Sequence, residues 1–136
     1  MGAGEAGFTL LEILVVVAIL GLLIGLVAPA ALRQLGGART SVARQSIERL
    51  VSVLDLYRLD AGRYPTTEEG LQALAQRPSG AAAWNGPYLR GEGVPVDPWN
   101  RPYDYRSPST RGGRDFDLCS RGPEGDGSAT SLICNQ

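Results

Sequence analysis

The sequence predicts an α+β chain: one long N-terminal helix packed on a small antiparallel sheet, with a C-terminal loop. Three observations carry this. Residues 13–32 form an unbroken apolar run. Ile47, Leu50, Val51, Leu54 and Tyr57 then recur at steps of three and four, which marks one apolar stripe of a helix. Two short segments, 103–106 and 115–120, read as strands on either side of the turn at Gly112-Gly113.

The apolar run is long enough to cross a bilayer, which takes about 20 residues. Glu12 stands at its head. A carboxylate in lipid costs on the order of 3 kcal/mol or more, so its presence calls for a partner charge, supplied by other copies of the same chain. From Phe8 to about Asp60 only Pro29 and the Gly36-Gly37 pair interrupt a helical reading. Pro29 removes one backbone donor and is expected to kink the helix. Gly21 and Gly25 lie four apart, a spacing that lets helices approach closely, although glycine is also simply tolerated in membrane helices. Beyond Arg33 the charged residues Arg44, Glu48, Arg49, Asp55 and Arg58 fill the positions between the apolar ones. The result is one helix of about 50 residues, roughly 80 Å long at 1.5 Å per residue. Such a helix cannot bury itself in so small a domain, and its exposed half must meet lipid or other subunits.

The helix should end near Ala61-Gly62, with Gly62 as its C-terminal cap. Thr66 and Glu69 form a capping-box pattern that predicts a short helix through Leu74. Residues 77–84 read as a Pro/Gly/Ala-rich loop, Asp97-Pro98-Trp99-Asn100 as a turn, and 121–131 as a loop-like tail.

Composition narrows the function. The net charge of −1 gives no polyelectrolyte signal, so a nucleic acid is not expected as a partner. All thirteen basic residues are Arg. There is no His, which removes the commonest general base and metal ligand. Ser41 and Ser46 therefore lack a base. Asp115 and Asp117, two apart on a predicted strand and so on one face, and the adjacent Glu68 and Glu69 read as solvated or helix-dipole charge rather than as catalytic pairs. No enzyme is expected. Cys119 and Cys134 follow an apolar membrane-length segment, which suggests an oxidising compartment and one disulfide; two buried free thiols are the alternative.

Three readings of the N-terminus compete. A cleaved secretory signal would have a basic head and a small-residue site; Ala28-Pro29-Ala30 offers only a superficial one, and the head carries Glu5 with no basic residue. A plain signal anchor leaves Glu12 unexplained, and Arg33, Arg39, Arg44 and Arg49 would be drawn to the cytoplasmic side. The third reading comes from resemblance: Gly7-Phe8-Thr9-Leu10-Leu11-Glu12 resembles the processing site of type IV prepilins and pseudopilins. That resemblance implies cleavage between Gly7 and Phe8 by a prepilin peptidase, N-methylation of Phe8, and a type IV pilin-like fold. It also places Glu12 fifth in the mature chain, where it would pair with the Phe8 ammonium of a neighbouring subunit and set the register of assembly. The leader, with no basic residue, departs from the family's usual pattern.

The globular part narrows the resemblance. The run Asp60-Ala61-Gly62-Arg63-Tyr64-Pro65-Thr66-Thr67-Glu68-Glu69-Gly70-Leu71, together with Gly86-Pro87-Tyr88-Leu89, Asp97-Pro98-Trp99, Pro102-Tyr103, Tyr105-Arg106-Ser107-Pro108 and Ser120-Arg121-Gly122-Pro123-Glu124-Gly125, is similar to the major pseudopilins of the type II secretion system, the GspG family. A type IV pilin or minor pilin, serving adhesion, motility or DNA uptake, is the alternative. The resemblance implies a leader over residues 1–7, a transmembrane helical segment over 8–32, an amphipathic helix over 33–61 and a periplasmic domain over 62–136. It further implies a single-pass inner-membrane protein of a Gram-negative bacterium that polymerises with itself. Its partners would be minor pseudopilins, the inner-membrane assembly platform and the prepilin peptidase, and the filament would push folded proteins through the outer membrane.

The family typically holds calcium in its C-terminal loop with the help of two adjacent aspartates. Here that pair is missing and the region reads Ala129-Thr130-Ser131-Leu132-Ile133-Cys134. Asp117, Glu124 and Asp126 are weak candidates as ligands, too few for a cage of six to eight oxygens. The expectation is that no cofactor is held and that a Cys119–Cys134 bridge pins the loop in the metal's stead.

Overall fold

The computed structural model describes residues 7–91 and 93–136. The expected leader therefore lies, apart from Gly7, outside the described residues. The chain divides into two compact units, Met1–Gly37 and Ala38–Gln136. The elements are a helix α1, Leu10–Ala61; a 3-10 turn, Leu71–Leu74; and three strands, β1 Asp104–Arg106, β2 Asp117–Ser120 and β3 Ile133–Cys134.

In the first unit the chain is helical from Leu10 onward and stays so through Pro29 and Gly36-Gly37. A proline at this position removes only the donor that would bond the Gly25 carbonyl. Leu10, Leu14, Leu22, Leu26 and the other large apolar side chains of this stretch are exposed. Among the described residues α1 is the one helix long and apolar enough to cross a membrane.

In the second unit α1 contributes Ala43, Ile47, Leu50, Leu54 and Tyr57 to the core, all nearly fully buried. Their spacing of three and four puts them on one face. Val51, expected in the same stripe, sits at its half-buried margin. Leu71, Ala73 and Leu74, then Tyr103, Phe116, Leu118 and Ile133, complete the cluster. Gly62, at φ 79°, stops the helix, and its N–H donates to the Arg58 carbonyl at 2.8 Å.

The segment after the helix differs from the expected short helix. The Glu69 N–H does donate to Thr66 Oγ1 at 3.2 Å, as a capping box requires. The Glu69 carboxylate, however, pairs with Arg63 at 2.8 Å and accepts from the Tyr57 hydroxyl instead of returning to Thr66. Gly70, at φ 62°, then breaks the chain away from helical geometry, leaving a turn followed by four residues of 3-10 helix.

The sheet is antiparallel in the order β1-β2-β3, with Tyr105 opposite Leu118 and Cys119 opposite Cys134. The strands β1 and β2 are shorter than the expected 103–106 and 115–120. Asp115 lies outside β2, exposed, 3.8 Å from Arg58, whereas Asp117 is buried on the strand; the two do not share a strand face as expected. The strand β3 has no counterpart in the sequence reading.

The signature residues of the globular part turn out to be ties between elements. Tyr64 donates to Asp55 of α1 at 2.7 Å and packs edge-on against Phe116. Tyr88 donates to Asp60 at 2.7 Å and Trp84 Nε1 to the Ala73 carbonyl at 2.6 Å, while the Tyr105 hydroxyl reaches the Pro65 carbonyl at 2.7 Å. Buried or half-buried aromatic hydroxyls and indoles usually need such partners, and these four each fasten a loop; the buried Tyr103 hydroxyl is the exception among the described residues.

Candidate functional site

Two regions carry the chemistry, and each lies within one unit. The first is the start of α1. Thr9 is its cap: the Glu12 N–H donates to Thr9 Oγ1 at 3.1 Å, and the Ile13 N–H to the Thr9 carbonyl at 3.2 Å. Thr9-Leu10-Leu11-Glu12 is a Thr-x-x-Glu sequence, the local pattern that marks such a cap. Glu12 sits in the first turn, where a negative charge suits the helix dipole. Among the described residues no ion pair or side-chain hydrogen bond engages its carboxylate, which stays exposed together with Phe8.

The second region is the C-terminal clasp. Cys119 and Cys134 face each other across β2 and β3 and are joined by a disulfide, with 4.0 Å between their Cα atoms. The chain beyond the bridge is held as well. The Asn135 N–H donates to the Leu118 carbonyl at 2.9 Å. Its side chain accepts from the Leu118 N–H at 2.9 Å and donates to the Phe116 carbonyl at 3.1 Å. Asn135 thus extends the ladder with its own amide. Arg111 donates from Nη2 to that side chain and to the Asn135 carbonyl, and from Nε to Asp117 at 2.8 Å.

Asp117 is the hub. Its two oxygens accept from Ser109 Oγ, from Arg111, and from the Thr110 N–H and hydroxyl at 2.9 and 3.0 Å. Burial works against the ionised form, but these four donors together outweigh it and hold the carboxyl well below the usual carboxylate range. The sign follows. A group with a depressed folded pKa lends stability that is complete above its unfolded value, about 4, and is lost as pH falls through the lower folded value. Thermal melting of the full chain in detergent should therefore hold level from neutral pH to about pH 4 and fall below it. In Asp117→Asn the part of that fall due to this site should disappear, with a lower midpoint at neutral pH.

The same engagement decides the fit of a metal. Asp117 has no free oxygen facing away from donors, and an ion beside it would meet the Arg111 guanidinium. Asp126 accepts from the Ser128 N–H at 2.9 Å and from Ser131 Oγ at 3.2 Å; the Ser128 N–H, then the Ser128 side chain, are the main reasons its carboxyl lies below its ordinary range. Glu124 stands exposed. Among the described residues no three His, Cys, Asp or Glu side chains gather as a metal group. Asp117, Glu124 and Asp126 are therefore not gathered as the several carboxylates that calcium usually takes among its six to eight oxygens.

A helix whose first half is apolar, exposed and long enough to cross a membrane, a small sheet with a fastened C-terminal loop, and a capped acidic helix start are the features of a class: the pilin-like structural subunits. The comparisons resolve the particular family. Residues 3–28 match the prokaryotic N-terminal methylation motif, and residues 30–135 match protein G of the type II secretion system. The chain belongs to this protein G family. It is 44% identical over 125 residues to the type II secretion system core protein G of Pseudomonas aeruginosa, covering 89% of this chain and 85% of that one. The core protein G of Aeromonas hydrophila is 39% identical over 135 residues, covering 96% and 92%. The crystal structure of the major pseudopilin from the type 2 secretion system of enterohaemorrhagic Escherichia coli superposes with a TM-score of 0.64 at 34% identity, covering 76% of this chain and 91% of that one.

Proposed function

We propose that this chain is the structural subunit of the periplasmic pseudopilus of a type II secretion system. It is anchored in the inner membrane by the first half of α1, with the second unit in the periplasm. It carries out no catalysis and is itself the substrate of a prepilin peptidase, which cuts between Gly7 and Phe8 and methylates the new amine. Its partners are further copies of itself, minor pseudopilins and the assembly platform.

The observation that carries this reading is the exposed apolar stretch of α1 in a member of the protein G family. Some 25 cal/mol per Å2 is gained by covering apolar surface, and lipid before assembly and neighbouring helices after it are the covers available. Gly21 and Gly25 have nothing within 4 Å of a built Cβ, which leaves room for a close helix neighbour. Glu12 pairs in this reading with the Phe8 amine of the next subunit. The disulfide takes over the role that calcium has in the family, and no metal is required.

Mass spectrometry of the membrane-extracted protein tests the reading. A mature chain starting at N-methylated Phe8, together with pelletable filaments of that chain, is the expected result. A start after Ala30, or a protein that stays monomeric when expressed with its secretion partners, overturns it.

A further inference from the structure

The C-terminal loop contains a positive charge whose purpose neither the fold nor the polymer explains. Arg101 follows the turn at Asp97 and reaches into the loop over residues 122–127. Its Nη1 donates to the Gly122 carbonyl at 2.7 Å. Gly125, at φ 71°, lies directly against the guanidinium, so that a Cβ built there would run into Cζ and both terminal nitrogens. At its other side the loop closes on itself, because a side chain at Gly122 would run into the Ser131 carbonyl. The positive φ favours glycine at both places, and at Gly122 the close neighbour is main chain that cannot step aside.

The base of Arg101 is equally fixed. Its N–H donates to Asp97 Oδ1 at 2.8 Å, and its carbonyl accepts from the Asp97 N–H at 2.8 Å. Asp97 is 3% exposed. Its other oxygen accepts from Ser120 Oγ at 2.7 Å, which in turn accepts from the Gly122 N–H at 3.2 Å. A closed ring thus runs from Asp97 through Ser120 and Gly122 to Arg101 and back. Among the described residues no carboxylate pairs with the Arg101 guanidinium. A cation facing a main-chain carbonyl makes one of the stronger hydrogen bonds a protein has.

We propose that Arg101 is the loop's own cation: it holds residues 122–127 from beneath by its guanidinium, so that this loop is ordered without a divalent ion. The bridge at Cys134 anchors the end of the loop, and Arg101 anchors its beginning. The two are separate devices, since Arg101 acts on Gly122 and Gly125 and the bridge acts on β3. The inference rests on the pseudopilin reading only for naming calcium as the ion made unnecessary.

Hydrogen exchange and thermal melting of the full chain in detergent, with calcium chloride or with chelator, test it. The oxidised wild type should give the same midpoint and the same loop protection in both. Arg101→Met should speed exchange of amides 122–132 by roughly ten- to a hundredfold, the scale of one lost charge-assisted hydrogen bond, while leaving the Asn135 contacts to β2 protected. Arg101→Lys, which restores the charge without the planar fork, should lie between. Gly125→Ala strains the backbone at a positive φ in either background, so it should speed loop exchange in both, but less in Arg101→Met, where no guanidinium stands against the added Cβ. Should Arg101→Met fail to fold, Arg101→Lys carries the test, with faster exchange of the same amides expected. Loop protection that rises with calcium in the wild type, or unchanged exchange in Arg101→Met or, where that variant does not fold, in Arg101→Lys, overturns the proposal. These readouts need no filament, so a chain that passes them and never polymerises counts against the pseudopilus reading and not against Arg101.

Discussion

Glu12→Ala is expected to leave the protein in the membrane and to abolish the filament. Insertion should not suffer, because the substitution removes a charge from the head of the apolar run. Assembly should suffer, because in the proposed pairing the amine of Phe8 then enters an apolar bundle with nothing opposite it. Stranding one such charge costs on the order of 3 kcal/mol, about a hundredfold in the equilibrium for each added subunit. A polymer multiplies that factor along its length, so the expected result is loss of pelletable filaments and of exoprotein secretion rather than a partial defect. Glu12→Gln separates charge from shape. It keeps the Thr9 cap, which uses the Glu12 main chain, and should fail like alanine. Normal filaments in Glu12→Gln would show that the carboxylate's charge plays no part in assembly.

Breaking the bridge should be the most damaging change to the second unit. Cys119 and Cys134 are separated by 15 residues, and closing a loop of that size is worth roughly 3 kcal/mol in the chain-entropy account. For a domain near this size the melting midpoint should fall by on the order of 10–20 °C in Cys119→Ser/Cys134→Ser. The strand β3 is only two residues long, so little else in the ladder compensates. The contacts of Asn135 with Leu118 and Phe116 lie just beyond the bridge and should loosen with it. Melting of oxidised and reduced wild-type protein, alongside the double serine variant, measures this. A midpoint indifferent to reductant would mean that the Asn135 and Arg111 contacts suffice to hold the tail.

Much of this architecture was legible because it is periodic. A helix with an apolar first half and a striped second half announces itself, and Ile47, Leu50, Leu54 and Tyr57 are buried where their spacing puts them. The strands β1 and β2 were placed by their residues and by the glycine turn between them. What escaped has no period. A strand of two residues, Ile133 and Cys134, carries no alternation to read. All four residues of β2 are buried, so Asp117 could not be told from a surface carboxylate by pattern. Its partners Ser109, Thr110 and Arg111 are near in sequence, yet only the fold turns them onto one carboxylate. The short helix expected after Thr66 was lost to Gly70, whose backbone angle outweighs a favourable cap. Arg101 and Asn135 act over long sequence separations, 21 residues to Gly122 and 17 to Leu118, and nothing local marks them. At the N-terminus the legible part was the motif; the cap at Thr9 was written in it as well.

The sheet has a further consequence for a protein meant to polymerise. Strand edges invite other strands, and a subunit crowded beside its copies would be prone to add them there, ending in an aggregate instead of a helical fibre. Here β1 is three residues long, stands between Pro102 and Pro108, and presents Asp104 and Arg106 to solvent, with Asp104 bound to Arg121 at 2.9 Å. The opposite edge is two residues long and stapled to its neighbour. Neither border offers a run of free backbone on which a second sheet could grow. A second copy is left to add through surfaces other than the sheet, among them the exposed apolar residues of α1.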